Sequence, residues 1–381
     1  MNAIKDPCDT TIAVGMSGGV DSSVVALLLK KQGFRVIGLF MKNWEELDEN
    51  GVCTSAKEYE DVVSVCEALQ IPHYAVNFVK EYRESVFTHF LEEFKKGHTP
   101  NPDILCNREI KFKVLLKRAL ELGADFLATG HYCRTELSSS GIPELLKGSD
   151  PGKDQSYFLY AVLGEALRHV MFPIGDLMKS DVRALARSHG LTTSEKKDST
   201  GICFIGERNF KQFLGNYIQY QKGNFETLTG KVVGIHDGTA FYTLGQRKGL
   251  KIGGAGEAWF VVGKDTERNV VFIEQGADHP ALYCDGLTAT ELTWIAGHPP
   301  KLPFNCHAKV RYRQSDQECT IDRIEGDKAF VSFSMPQRAV TPRQSVVFYL
   351  GDRCIGGGMI EAPTPSYYAL GKQVPHLYLR Q

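Results

Sequence analysis

The chain has 381 residues, more than one ordinary hydrophobic core accommodates, so two or three domains are expected. Apolar residues make up 43% and charged residues 23%, as in soluble globular proteins, and no apolar run approaches the ~20 residues of a membrane span. Net charge is −1, from 44 basic and 45 acidic residues, which excludes a chain-wide basic field for nucleic acid; RNA contact must come from a local patch.

The nine residues before the first candidate strand are too few for a signal or transit peptide, so the chain reads as cytoplasmic. Its ten cysteines (Cys8, Cys53, Cys66, Cys106, Cys133, Cys203, Cys284, Cys306, Cys319 and Cys354) show no CxxC or zinc-knuckle spacing. Most are expected to be buried thiols.

A strand over 10–14 runs into GMSGGVDS, residues 15–22, followed by an apolar helix over 22–30. Gly18 and Gly19 let the backbone approach an anion, and the freed N–H groups and positive helix end point at it. Ser17, Ser22 and Ser23 add hydroxyl donors, and Asp21 can hold a magnesium ion against phosphates. The turn lacks both the GxxxxGK of a Walker loop and the G-x-G-x-x-G of a dinucleotide fold, and no lysine lies between Met16 and Leu29. SGGxDS resembles the pyrophosphate loop of the ATP pyrophosphatases; a plain strand-to-helix turn is the alternative.

Strands over 35–40, 73–78 and 126–129 alternate with helices over 55–69, 82–94 and 107–122, the rhythm of a doubly wound parallel sheet with ligands at the carboxyl strand ends. Met41 follows the second strand, where its backbone can meet an adenine ring. In TPNPDILCNREIKF, residues 99–112, Asn101-Pro102-Asp103 form a turn and Cys106 falls at the N-terminus of a helix starting near Asn107. The dipole there, with Arg108 and Lys111 nearby, favours the thiolate, against a capping turn with a half-buried cysteine as the alternative. Gly130 and His131 end the fourth strand on the edge of the ATP loop, and Lys153-Asp154-Gln155 open the next helix. In KKDSTGICFIGERNF, residues 196–210, Cys203 lies in a polar turn with Lys196 and Lys197 before it and Arg208 after it.

Beyond residue 205 a helix over 207–220 leads to short strands at 231–235 and 259–262, and GLKIGGAGEAW reads as an exposed loop. From 287 onward, Ala308-Val310-Tyr312, Thr320-Asp322 and Ala329-Val331-Phe333 alternate as short strands, with Glu325-Gly326-Asp327 turning one hairpin. That spacing predicts a small antiparallel barrel.

GMSGGVDS, NPDxxCNxxIKF, ATGHY, KDQSYFL, DSTGICFIGERxF, YTLGQRKGL, RYRQ and TPxQSVVFY together resemble the tRNA-specific 2-thiouridylases (the MnmA/TrmU family) over nearly the whole chain. The resemblance implies an ATP pyrophosphatase domain of the adenine nucleotide alpha hydrolase type over 1–206, a small central tRNA-binding domain over 207–286, and a C-terminal β-barrel over 287–381. It implies ATP contacts at Gly15, Met16, Ser17, Gly18, Gly19, Val20, Asp21, Ser22, Met41 and Gly130, with Mg2+ at Asp21. Asn101, Pro102 and Asp103 match the contact with the target base, the wobble uridine of a tRNA anticodon stem-loop. Cys203 matches the persulfide carrier and Cys106 its partner nucleophile. His131, Lys153, Asp154, Gln155, Arg311, Tyr312 and Gln344 match tRNA contacts, so Arg311→Ala is expected to lose about one phosphate contact. A persulfide donor or relay protein and a monomer are further expectations.

Two other readings remain. A nucleotide-amidating synthetase would share the loop without needing Cys106 or Cys203. A non-catalytic tRNA-binding protein would need neither the loop nor the thiols. The sequence also leaves open an iron–sulfur cluster on Asp103, Cys106 and Cys203.

Overall fold

The computed structural model describes residues 6–45, 54–197 and 210–375; Cys53, Cys203 and all of the DSTGICFIGER segment lie outside them. The first region contributes β1 (Thr11–Met16), β2 (Arg35–Lys42), β3 (His73–Asn77), β4 (Phe126–Ala128), a hairpin of β5 (Cys133–Leu137) and β6 (Pro143–Lys147), and β7 (Val170–Met171). A five-stranded parallel sheet orders these as β3-β2-β1-β4-β7. Ile12, Val14 and Met16 of β1 enter one core and Ala13 the other, so the strand is apolar on both faces.

Helices cover both faces. On one side lie α1 (Val20–Lys31) and α2 (Thr54–Leu69). The other carries α3, in contiguous segments Val79–Tyr82, Arg83–Phe87 and Thr88–Lys95, and α4, in segments Pro102–Leu105, Cys106–Leu115 and Leu116–Glu121. The middle segments of α3 and α4 are π-wound. A further helix, α5 (Lys179–Ser188), packs on α1.

The expected start of α4 near Asn107 is corrected. Asn101 caps the helix by accepting from Asp103 N at 3.1 Å, and Pro102 follows with its φ already set, so the helix begins more than a turn earlier. The helix expected after Lys153-Asp154-Gln155 is only a 3-10 turn, Ser156–Phe158.

In the centre, α6 (Phe210–Gly215) precedes a sheet ordered β10-β11-β8-β9, built from β8 (Gly223–Glu226), β9 (Val232–His236), β10 (Trp259–Asp265) and β11 (Val270–Gln275). The glycine-rich stretch before Trp259 is an irregular, largely exposed loop, as expected.

Six antiparallel strands form the C-terminal barrel: β12 (Tyr283–Trp294), β13 (Phe304–Lys309), β14 (Gln317–Glu325), β15 (Lys328–Arg338), β16 (Ser345–Leu350) and β17 (Arg353–Pro363). Pairing of β12 with β17 closes it. The β14–β15 turn falls at Gly326-Asp327, as expected, but β13 stops at Lys309, leaving Val310 and Tyr312 in the loop beyond. A boundary at 287 would cut β12, and β6 pairs with β17 at Arg353↔Leu146 and Cys354↔Leu145. The first region therefore lends a hairpin to the barrel sheet.

Candidate functional site

The carboxyl ends of β1 and β4 flank the point where strand order reverses, the usual ligand crevice of an open α/β sheet. Residues 17–19 turn there from β1 into α1. Gly18 has φ +71°, and a β-carbon on it would stand 2.6 Å from Glu58 O, so both conformation and space demand glycine. Gly19 caps α1 with no side-chain bond to the first turn, which leaves backbone N–H groups available to an anion.

Two expected hydroxyl donors face the wrong way. Ser22 and Ser23 bond back to Gly19 O at 3.2 and 2.8 Å, and Ser23 also accepts from Thr193 at 2.9 Å; they stiffen the turn. Ser17 remains exposed at its mouth. Met16 and Val20 bury their side chains, so they can offer a ligand only backbone. Met41 lies within β2, not after it. At Gly130 a β-carbon would meet Asp21 Cβ at 2.9 Å and Ser22 N at 3.0 Å, so glycine is required there to admit the first turn of α1.

Sequence reasoning missed the charges around the turn. Asp21 accepts from Lys179 Nζ at 2.7 and 2.8 Å and from the Tyr132 hydroxyl at 2.8 Å. The Lys196 ammonium bonds Gly18 O at 3.0 Å and pairs with Asp61. Arg183 holds the same stretch through Ser194 O and Lys196 O at 2.9 and 3.0 Å.

Cys106 lies in the π-wound part of α4, 1% exposed, in the core beneath the sheet. Because the helix starts at Pro102, the thiol sits beyond the first turn, where the dipole has largely faded. Arg108 is paired with Glu109, which also binds Lys113. Burial raises the Asp103 carboxyl against the opposing pull of Lys111. His131 is 8% exposed, bonded to Thr129 Oγ1 at 2.8 Å and packed between Phe112 and Phe172. Burial, with Lys111 beside it, holds its imidazole pKa well below the usual value, so it meets any ligand neutral.

The remaining described cysteines behave as structural thiols. Burial pushes Cys66 and Cys284 up to about 11 and Cys354 to about 12, and raises Cys133 as well. Cys306 and Cys319 face each other across β13–β14 with Sγ atoms 3.6 Å apart, a closeness their spacing did not suggest. Cys8 alone among them is exposed.

Residues 10–207 match the family described as tRNA methyl transferase HUP domain, 211–275 the matching PRC-barrel domain, and 284–360 an aminomethyltransferase β-barrel domain. A protein of Protochlamydia amoebophila called tRNA-specific 2-thiouridylase MnmA is 66% identical over 366 residues, 96% of this chain and 97% of its own. One of the same name from Halalkalibacterium halodurans is 57% identical over 357 residues, 94% of this chain and 96% of its own. The chain belongs to the tRNA-specific 2-thiouridylase family. Among solved structures, a U34-tRNA thiolase from Methanococcus maripaludis overlaps 53% of this chain and 63% of its own at 20% identity and TM-score 0.35, too distant to carry an argument.

In this family member, four of the residues expected to touch tRNA, Asp154, Tyr312, Gln344 and Arg311, make contacts that cross between regions. Asp154 accepts from Gly148 N and Ser156 N at 3.2 and 3.1 Å and faces Lys309, while Gln155 accepts from Tyr132 N at 3.0 Å. Tyr312 packs on Phe158 with ring centroids 4.3 Å apart, and burial pushes its hydroxyl up to about 12. The Gln344 amide donates to Thr99 O, two residues before Asn101. Lys153 keeps a partly exposed side chain.

Arg311 is a strut. Its Nη2 donates to Leu244 O at 2.6 Å in the central region and to Ala339 O at 3.1 Å in the barrel. Arg311→Ala should therefore lower stability in urea unfolding by about 1.5–3 kcal/mol. The salt slope of tRNA binding should stay unchanged, in place of the lost phosphate contact that the sequence suggested; a slope shallower by about one would restore that role.

A buried carboxylate anchors the segment leading to Asn101. Glu93, 3% exposed, binds Lys96 at 2.8 Å, His98 at 2.8 Å and, from the barrel, Arg343 at 2.7 Å. Burial alone would raise its pKa, but the Lys96 and His98 hydrogen bonds and the Arg343 charge outweigh this and hold it below 4.5. A depressed carboxyl contributes stability above its unfolded pKa and loses it as pH falls through the folded one. Unfolding measured from pH 6 down to 3 should show that loss in the wild type and less of it in Glu93→Gln; equal slopes would contradict the assignment.

Proposed function

We propose that this family member, a tRNA-uridine 2-sulfurtransferase, binds ATP in the turn at 15–22, adenylates the 2-oxygen of the wobble uridine, and replaces that oxygen with sulfur carried by Cys203. One observation carries this reading best. The segment bearing Cys203 leaves the described chain just after Lys196, bonded to the ATP turn at Gly18 O. It rejoins at Phe210, packed on Phe94 at 5.5 Å near the end of α3, which leads to the Asn101 turn. Both ends of the sulfur-bearing segment are thus anchored at the two halves of the proposed site.

The chemistry follows from the leaving group. A uridine 2-oxygen departs poorly, so it attacks the α-phosphorus, the bond to the β-phosphate breaks, and pyrophosphate leaves with the electron pair while the base loses its N3 proton. The terminal sulfur of a Cys203 persulfide attacks C2 and expels AMP. Cys106 then attacks the Cys203 sulfur, leaving the outer sulfur on the base and a Cys106–Cys203 disulfide that a thiol reductant reopens. The target base must leave its stack to reach this pocket, where Asn101, Pro102 and Asp103 receive it. Asp21 presents a carboxylate to the turn, which suits a Mg2+ shared with ATP phosphates; bound there, the ion would neutralise phosphate charge.

The tRNA lies across the seam marked by Tyr312 and Gln344, with Lys153 on the first region. An ATP turn together with two cysteines fits thiolation, whereas methyl transfer needs no adenylated base. Among the described residues no helix is long and apolar enough to cross a membrane. Nucleoside mass spectrometry of tRNA from cells lacking the protein tests the reading: 2-thiouridine derivatives should vanish and return with the wild-type gene. Their persistence in the deletion strain would refute it.

A further inference from the structure

A phosphate turn without a lysine is short of positive charge, because two or three phosphates carry more negative charge than a helix end can balance. This turn has no lysine of its own between Met16 and Leu29. The fold brings one from 158 positions away: Lys179, at the start of α5, places its ammonium 2.7 and 2.8 Å from the two Asp21 oxygens, in the first turn of α1. Its side chain is 12% exposed, against 30% for Asp21, so the ammonium is more screened from solvent than the carboxylate. Its position is fixed from several sides. Lys179 N donates to Asp150 Oδ2 at 2.9 Å, the Tyr132 ring lies 5.6 Å below the ammonium, and the Tyr132 hydroxyl fixes Asp21 Oδ1.

We propose that Lys179 is the phosphate-binding cation of this site: when ATP enters, its ammonium passes from Asp21 to the phosphates and stabilises the departing pyrophosphate. The inference rests on the adenylation reading above and names a residue for it. Lys179 exchanges no proton and forms no covalent bond. The bond that breaks joins the α-phosphorus to the β-phosphate oxygen, whose electron pair stays with pyrophosphate next to the ammonium. Release of Lys179 also frees Asp21 for the cation that accompanies ATP. Lys196 differs, because it holds the backbone of the turn at Gly18 O and pairs with Asp61.

Lys179→Met, Lys179→Gln and Lys179→Arg in the full chain test this, with unmodified tRNA and ATP. Loss of one preorganised donor should slow single-turnover pyrophosphate release by about 10²–10³-fold in the Met and Gln variants. ATP affinity should fall about tenfold or more, the rise in melting temperature on adding ATP should shrink, and tRNA affinity should hold. Arg, keeping the charge, should recover part of the rate. Gln retains a hydrogen bond to Asp21, so it keeps the test alive should Met fail to fold. A folded Gln or Met variant that releases pyrophosphate within about twofold of wild type would overturn the proposal. So would a lowered melting temperature with the ATP-induced rise intact, the mark of a purely structural lysine. If the wild type itself released no pyrophosphate, the adenylation reading would fall first and the inference with it.

Discussion

Cys203→Ser and Cys106→Ser enzymes should each deliver no sulfur to tRNA, yet both should still consume ATP and form the adenylated base. A hydroxyl neither carries sulfane sulfur nor ionises near neutral pH, whereas activation of the uridine oxygen requires neither thiol. A radiolabelled persulfide donor should mark the wild type and Cys106→Ser and leave Cys203→Ser unlabelled. Cys106 rests 1% exposed in the core, in the π-wound turn of α4, and its disulfide with Cys203 requires α-carbons roughly 4.4–6.8 Å apart. Substituting Cys66 or Cys284, whose thiols burial pushes up to about 11, should cost stability at most. Full thiolation by Cys203→Ser, or a label confined to one of the other cysteines, would reject the division of labour.

Asp21→Ala is expected to abolish pyrophosphate release while tRNA binding survives. The carboxylate holds Lys179 and Tyr132 in place, and in the proposed mechanism it would also offer an oxygen to a cation on ATP. Its removal leaves a nearly buried ammonium without this partner, so a moderate drop in melting temperature should accompany the loss of activity. Circular dichroism and tRNA binding on the same preparation separate chemistry from unfolding. Normal pyrophosphate release by a folded Asp21→Ala enzyme would remove the turn from the mechanism.

The parallel sheet was legible because β1 and its neighbours are short apolar runs between helical periods, a signal that does not depend on distant partners. The start of α4 was legible too, yet Asn101-Pro102 was read as a turn when it is a cap followed by a proline at the first helical position. That error moved Cys106 along the helix and overstated the dipole acting on it. β17 escaped notice because RCIGGGMIEAP is glycine-rich and strands seldom are, and without it nothing marks where the β5–β6 hairpin docks. β11, VVFIEQ, is absent from the expected strands although its length and β-branching mark it.

At the site, several motif residues have structural partners that the sequence did not show. Ser22, Ser23, Gly130 and Arg311 serve the protein's own packing, which local sequence cannot distinguish from ligand contact. Lys179 and Lys196 reach the turn across 158 and 178 positions, and the Glu93–Arg343 pair spans 250. No spacing rule links residues so far apart; only the fold does.

The most direct measurement counts products in one reaction. Purified enzyme, loaded with persulfide sulfur, is mixed with unmodified tRNA and ATP, and 2-thiouridine, AMP and pyrophosphate are quantified together. The account predicts one of each per thiolated base, with no 2-thiouridine when ATP is omitted. Thiolation without ATP, or with ADP and phosphate in place of AMP and pyrophosphate, would contradict it.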